Sequence, residues 1–100
     1  MVARAEIESA GSRLQTMFLL AARYEGRPVV PVAEVCRDFF APLTLDKFLR
    51  KASAGDIALP IVRMETSQKA AKGVHLSDLA DYLDGRRAAA KKELAAINRP

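Results

Sequence analysis

Ala41-Pro42-Leu43-Thr44-Leu45-Asp46-Lys47-Phe48-Leu49-Arg50-Lys51-Ala52-Ser53-Ala54-Gly55 is the stretch on which the reading of this chain turns. It spells a short helix with a start, a stop and two chemically different faces. Thr44 suits the N-cap, because its hydroxyl can accept from first-turn N–H groups that lack an intrahelical partner. Asp46 puts a negative charge where the helix dipole favours one. Leu43 and Phe48 have the spacing of a hydrophobic staple, and Gly55 can take the left-handed conformation that ends a helix. Between these limits Leu45, Phe48, Leu49 and Ala52 recur at i, i+3, i+4 and i+7 as an apolar stripe. Lys47, Arg50, Lys51 and Ala54 fall on the opposite side. A helix anchored on one face and basic on the other has the form of a major-groove reader. It also has the form of an ordinary amphipathic helix with a solvated face, and taken alone the stretch favours that plainer reading.

The flanking chain reverses that balance. Pro31 can open a helix in which Val32, Val35, Cys36, Phe39 and Phe40 keep core spacing while Glu34, Arg37 and Asp38 face water. Ala41-Pro42-Leu43 breaks it, so two short helices joined by about four residues form a helix-turn-helix arrangement. Arg27–Pro31 before them is extended, with two prolines bracketing two β-branched residues. Further upstream a helix is expected from Ser12, which has capping-box spacing to Gln15. Leu14, Met17, Phe18 and Ala21 line one face, Leu20 and Tyr24 extend it, and Gly26 stops it. This helix is apolar nearly all round, so it is either deeply packed or shared with a second subunit. Residues 1–11 are expected to form a flexible extension, although Ala5, Ile7 and Ala10 are spaced to prolong the helix.

Downstream, Asp56–Pro60 turns the chain into an extended Ile61–Glu65, and Gly73-Val74-His75-Leu76 supplies a return strand. Residues 61–76 then make a hairpin, or wing, with a polar and basic tip. A single helical turn capped by Thr66 or Ser67 fits that tip as well. His75 reads as a packing residue at the wing base, and Ser77 is placed to cap a last helix whose Leu79, Tyr82 and Leu83 face inward. Gly85 costs about 1 kcal/mol relative to alanine inside a helix, so a bend is possible there. Arg86, Arg87, Lys91, Lys92 and Arg99 then oppose only Glu93 in an alanine-rich tail. The expected fold class is α+β, mainly α. It comprises a flexible extension (1–11), a winged helix-turn-helix domain with an additional N-terminal helix (12–85), and a basic C-terminal helix (86–100).

One hundred residues, half of them hydrophobic and 28% charged, suit one soluble domain with a modest core. A net charge of +4 tilts the chain toward an acidic partner. Cys36 is the single cysteine, which excludes an internal disulfide and a cysteine-based zinc site and fits a reducing cytoplasm. Glu6 and Glu8 with no apolar core rule against a signal peptide, and the longest apolar run, Met17–Ala22, is too short to span a bilayer. No phosphate-cradling glycine loop, metal-ligand spacing or acid–base pair is present, so no catalytic residue, metal or cofactor is assigned. His75, Ser77 and Asp78 make no triad by proximity in sequence alone. A cytoplasmic, nucleoid-associated protein that is not an enzyme is expected.

Within that frame the expected reading surface is Thr44, Lys47, Arg50 and Lys51 on helix 44–54, with Ser67, Gln68, Lys69 and Lys72 on the wing. Arg50 suits a bidentate contact with a guanine edge. Lys47 can reach a base or a phosphate, and Lys51 a phosphate that sets register. Thr44 caps, and the N–H groups beside it are placed for a phosphate. The expected partner is double-stranded DNA, bound by a homodimer paired through the first helix, the tail helix or both. For the wing lysines, and for Arg86, Arg87, Lys91 and Lys92, simple solvation is the alternative.

Val35-Cys36-Arg37-Asp38-Phe39-Phe40, Lys47-Phe48-Leu49-Arg50-Lys51, Gly55-Asp56-Ile57, Leu59-Pro60-Ile61-Val62-Arg63, Ser67-Gln68-Lys69-Ala70-Ala71-Lys72-Gly73-Val74 and Asp78-Leu79-Ala80-Asp81-Tyr82-Leu83 together resemble the pyocin activator protein (PrtN) family. The resemblance runs from Met17 to Lys92. It implies a bacterial transcriptional activator that binds promoter-proximal DNA and turns on genes for phage-tail-like bacteriocins; activation itself requires something beyond binding, with RNA polymerase the expected contact. More distantly, the order helix, turn, helix, Gly-x-Ile-x-x-Pro, wing, helix resembles the winged-helix domains of phage excisionases and prophage regulators. That resemblance implies an architectural factor that bends DNA. A third reading is a protein-interaction regulator docking through helix 12–24. Ala58 stands where the family pattern has proline, and the first dozen residues have no family role; neither lies on the reading surface.

Overall fold

Tyr24, Val30, Val35, Phe48, Val74 and Leu79 are sealed from solvent, and they come from six different parts of the chain. The computed structural model describes residues 4–98, with side-chain burial from residue 11 onward. Met1–Ala3, within the expected flexible extension, and Arg99 of the tail lie outside the described residues. The order is α1 (Arg4–Arg23), β1 (Val29–Pro31), α2 (Val32–Phe39), α3 (Leu45–Ala54), β2 (Val62–Arg63), β3 (Lys72–His75) and α4 (Leu76–Ile97). The result is a small α+β fold, mainly helical, built on one antiparallel sheet of strand order β1-β3-β2. None of the described helices is long and apolar enough to cross a membrane.

Helix α1 begins at Arg4 and not at Ser12. Arg4–Ala10 is made largely of good helix formers, so the turn that Ser12 was expected to cap is already inside a helix. The Ser12 carbonyl lies 3.1 Å from the Thr16 hydroxyl, one helical turn on. The buried stripe of α1 is also rotated from the expected one. Leu20 and Tyr24 are buried and Met17 packs beside them, whereas Leu14 and Phe18 are 60% and 75% exposed. A helix apolar nearly all round carries no periodic signal to say which face packs. At its end Glu25 and Gly26 both take positive φ, and the Gly26 N–H donates to the Ala21 carbonyl at 2.8 Å.

The extended Val29-Val30-Pro31 becomes a strand of the sheet, which the sequence did not reveal. Val30 lies opposite Val74, and Pro31 opposite Gly73. Gly73 in turn faces Val62 on the other side. A Cβ on Gly73 would stand 2.5 Å from the Val29 Cγ1 and 3.0 Å from the Val30 carbonyl oxygen, so only glycine lets β1 approach this closely.

Pro31 ends β1 and caps α2. Parts of α2 lie differently from expectation. Phe39 is exposed, while Asp38, expected to face water, is half-buried and accepts the Tyr24 hydroxyl at 2.6 Å. The Cys36 thiol donates to the Leu43 carbonyl at 3.4 Å and ties α2 to the turn that follows.

Helix α4 also starts two residues earlier than expected. His75 is its N-cap, and the His75 Nδ1 accepts the Ser77 N–H at 3.0 Å, so Ser77 is capped and is not the cap. The helix continues through Gly85 without interruption, and 86–97 is its outer half. Asp84 accepts from the Thr16 hydroxyl at 2.7 Å, and Asp81 pairs with Arg13 at 2.9 Å, which pins the inner half of α4 to α1.

Candidate nucleic-acid interface

Helix α3 forms where its caps place it. Thr44 is the N-cap in extended geometry, and its hydroxyl accepts the Lys47 N–H at 3.3 Å. Gly55 takes φ 83°, and the N–H groups of Gly55, Asp56 and Ile57 return to carbonyls of Ala52 and Lys51. These bonds satisfy the last turn and swing the chain back under the helix. Phe48 is the one fully buried anchor of α3. Its ring stacks on Phe40 at 4.7 Å between centroids, and Phe40 in turn meets Tyr82 at 5.6 Å. Leu49 and Ala52 are half-buried beside it, but Leu45, expected on the stripe, is 37% exposed because it opens the helix beyond the edge of the core. With Phe48 inward, Lys47, Arg50 and Lys51 stand in solvent.

The tip of the β2–β3 hairpin is a non-helical turn. The Met64 N–H donates to the Ala71 carbonyl at 3.0 Å, and the Ala70 N–H to the Ser67 carbonyl at 3.1 Å. The Ser67 hydroxyl accepts the Lys69 N–H at 3.1 Å, and the Lys72 ammonium donates to the Gln68 carbonyl at 3.4 Å. Ser67 therefore shapes the tip, while Lys69 is exposed on it.

Helix and hairpin face each other across a groove of about 500 Å³. Arg50 and Ser53 line it from α3, with Arg63, Gln68 and Lys72 from the hairpin, over a floor that includes Leu59. Of the expected surface, the groove brings together Arg50, Gln68 and Lys72. Thr44, Lys47, Lys51, Ser67 and Lys69 do not line it; they are exposed on the helix and the hairpin tip that flank it. Arg63 is the charged lining residue that sequence reasoning missed. Its signal was the alternation Ile61-Val62-Arg63, which turns Arg63 away from the half-buried Val62.

No carboxylate lines the groove, and no ion pair among the described residues involves Lys47, Arg50, Lys51, Arg63, Lys69 or Lys72. The cations near α2 are treated differently. Arg27 binds Glu34 in a two-bond fork at 3.0 and 3.2 Å. Arg37 and Arg23 both reach Asp38, at 2.9 and 3.1 Å. The hydrogen bonds from Arg37 and Tyr24 hold the Asp38 carboxyl below its usual range. Burial, then the bond to Asp38, pushes the Tyr24 phenol well above its ordinary value. Arg27 likewise lowers Glu34. Glu34 and Asp38 are thus paired on the α2 side, whereas the cations of α3 and the hairpin join no ion pair among the described residues.

Residues 16–90 match the family described as pyocin activator protein PrtN. The chain belongs to the PrtN family. The matched span of this PrtN-family member holds α3, the hairpin and every residue of the groove, and it leaves out the first turns of α1 and the last of α4. No curated protein and no solved structure matches the chain.

Proposed function

We propose that this PrtN-family protein is a sequence-specific DNA-binding transcriptional activator of pyocin-type or prophage genes, acting as a winged helix-turn-helix module. In this reading α2 and α3 are the helix-turn-helix, with residues 44–54 entering the major groove. Arg50 and Lys47 then read bases and Lys51 holds a phosphate. The hairpin is the wing, and Ser67, Gln68, Lys69 and Lys72 meet the flanking backbone. The observation that carries the reading is the groove between α3 and the hairpin, whose charged lining is entirely cationic. A polyanion that filled it would touch helix and hairpin together. Membership of an activator family supports the regulatory role and the absence of an enzymatic one.

Activation adds a contact with RNA polymerase to DNA binding. A module this small gains site length by pairing. α1, with Leu14, Phe18 and Leu19 in solvent, and the outer half of α4, with Leu94 and Ile97, are the faces available for a homodimer. Light scattering is expected to return the mass of two chains, and a monodisperse monomer at working concentration counts against pairing. The test of the central reading is selection of bound sequences from a random duplex pool by the purified protein. A recurring motif is the expected outcome; failure to enrich any sequence, with no retention of duplex DNA, overturns it.

A further inference from the structure

We propose that the groove between α3 and the β2–β3 hairpin is a seat for phosphate oxygens of the DNA backbone. Arg63, outside the expected reading surface, is its main donor, with Lys72 directly across the strands. The inference rests on the DNA-binding reading and adds to it the residue and the atoms contacted.

Arg63 and Lys72 are register partners of the antiparallel pair. Their side chains therefore leave the same face of the sheet, and both line the groove opposite Arg50. Like charges directly opposite one another on neighbouring strands are destabilising. No negative charge offsets this repulsion within the groove: no carboxylate lines it, and neither residue joins an ion pair among the described residues. β2 consists of Val62 and Arg63 alone, so the repelling pair is half of its register with β3. An anion between the two side chains converts the repulsion into charge-assisted hydrogen bonds. The planar guanidinium of Arg63 matches two phosphate oxygens at once, and the ammonium of Lys72 serves as a point charge. The Gln68 carbonyl, 3.4 Å from the Lys72 Nζ, holds that ammonium close to the hairpin. Contacts of this type position a duplex without reading it.

Neutralising Arg63 therefore stabilises the free protein at low salt and weakens its complex with DNA, a combination that a packing role does not produce. The experiment compares wild type, Arg63→Gln and Arg63→Lys. Thermal melts are run at low ionic strength with and without added inorganic phosphate. Titrations use a random-sequence duplex and a selected duplex over a salt series. Arg63→Gln is expected to melt higher than wild type without phosphate and to gain less from phosphate. It should bind both duplexes more weakly by the same factor, with a log–log salt slope smaller by about one. Arg63→Lys should keep the wild-type slope. Wild-type affinity and slope in Arg63→Gln overturn the proposal, as does a lower melting point with weakened binding to the selected duplex only. A wild-type protein that binds neither duplex defeats the DNA reading. In that event a phosphate-induced rise in melting point that Arg63→Gln abolishes still supports the anion seat, and no such rise overturns it.

Discussion

A guanidinium that reads a guanine edge differs from one that faces water in what its removal costs. Arg50 stands on the groove side of α3 without an ion-pair partner among the described residues. Arg50→Ala is expected to cost about 1–3 kcal/mol of DNA affinity and to relax preference at one base position. Titration of the variant against every base at that position checks this, and retention of full affinity and specificity removes the role. Tyr24 and Asp38 carry a second prediction. The Asp38 carboxyl is held below its ordinary 3.8, so the stability it contributes is complete above that value. It is lost as pH falls through the lower, folded value. The Tyr24 phenol is raised above its ordinary 10.0, so its contribution is complete below that value and is lost as pH rises beyond it. Tyr24→Phe is expected to flatten the alkaline edge of a stability–pH curve measured by urea unfolding. It should also shrink the acid edge without abolishing it, because Arg37 still binds Asp38. An unchanged alkaline edge would show that the phenol is not linked to folding.

Among the elements, α3 and β1 stand at opposite ends of legibility. Thr44, Asp46, Phe48 and Gly55 specify α3 through contacts within a few residues, so its span, caps and outer face were all readable in order. β1 owes its identity to a partner far along the chain. Val29-Val30-Pro31 reads as merely extended until Gly73 offers a surface without a Cβ. Gly73→Ala is therefore expected to destabilise the protein by about 1–3 kcal/mol, the usual cost of overpacking. For a domain of this size that corresponds to a fall in Tm of about 4–8 °C per kcal/mol. Val29→Ala removes the nearer obstruction, so the double variant should lose less stability than the two single losses added together. Strict additivity in thermal melts would mean that β1 does not press on Gly73.

At the scale of the whole molecule the deciding feature is where the acids went. Glu34, Asp38, Asp81 and Asp84 are bound to partners on α1, on α2 or in the segment between them. The lining of the groove, with Arg50, Arg63 and Lys72 and no carboxylate, is more cationic than a net charge of +4 suggests. If α3 and the hairpin together neutralise roughly four phosphates, the log–log salt slope of binding is about −3.6. Affinity measured over a salt series checks this, and a flat dependence would exclude backbone contact as the source of binding.

The sequence by itself determined the local structure: α3 with both its caps, the break before it, the hairpin after it, and the family to which the chain belongs. These rest on hydrogen bonds and backbone preferences that neighbouring residues satisfy for one another. Only the tertiary structure decided which face of α1 packs, that β1 joins the sheet, that His75 caps α4, and that Asp38 serves Tyr24. It alone set Arg63 across from Lys72 on a groove shared with Arg50. Each of those depends on residues distant in sequence meeting in space, and short-range periodicity carries no record of such meetings. The basic face of α3, ambiguous from residues 41–55 alone, acquires its meaning from the hairpin that the fold brings beside it.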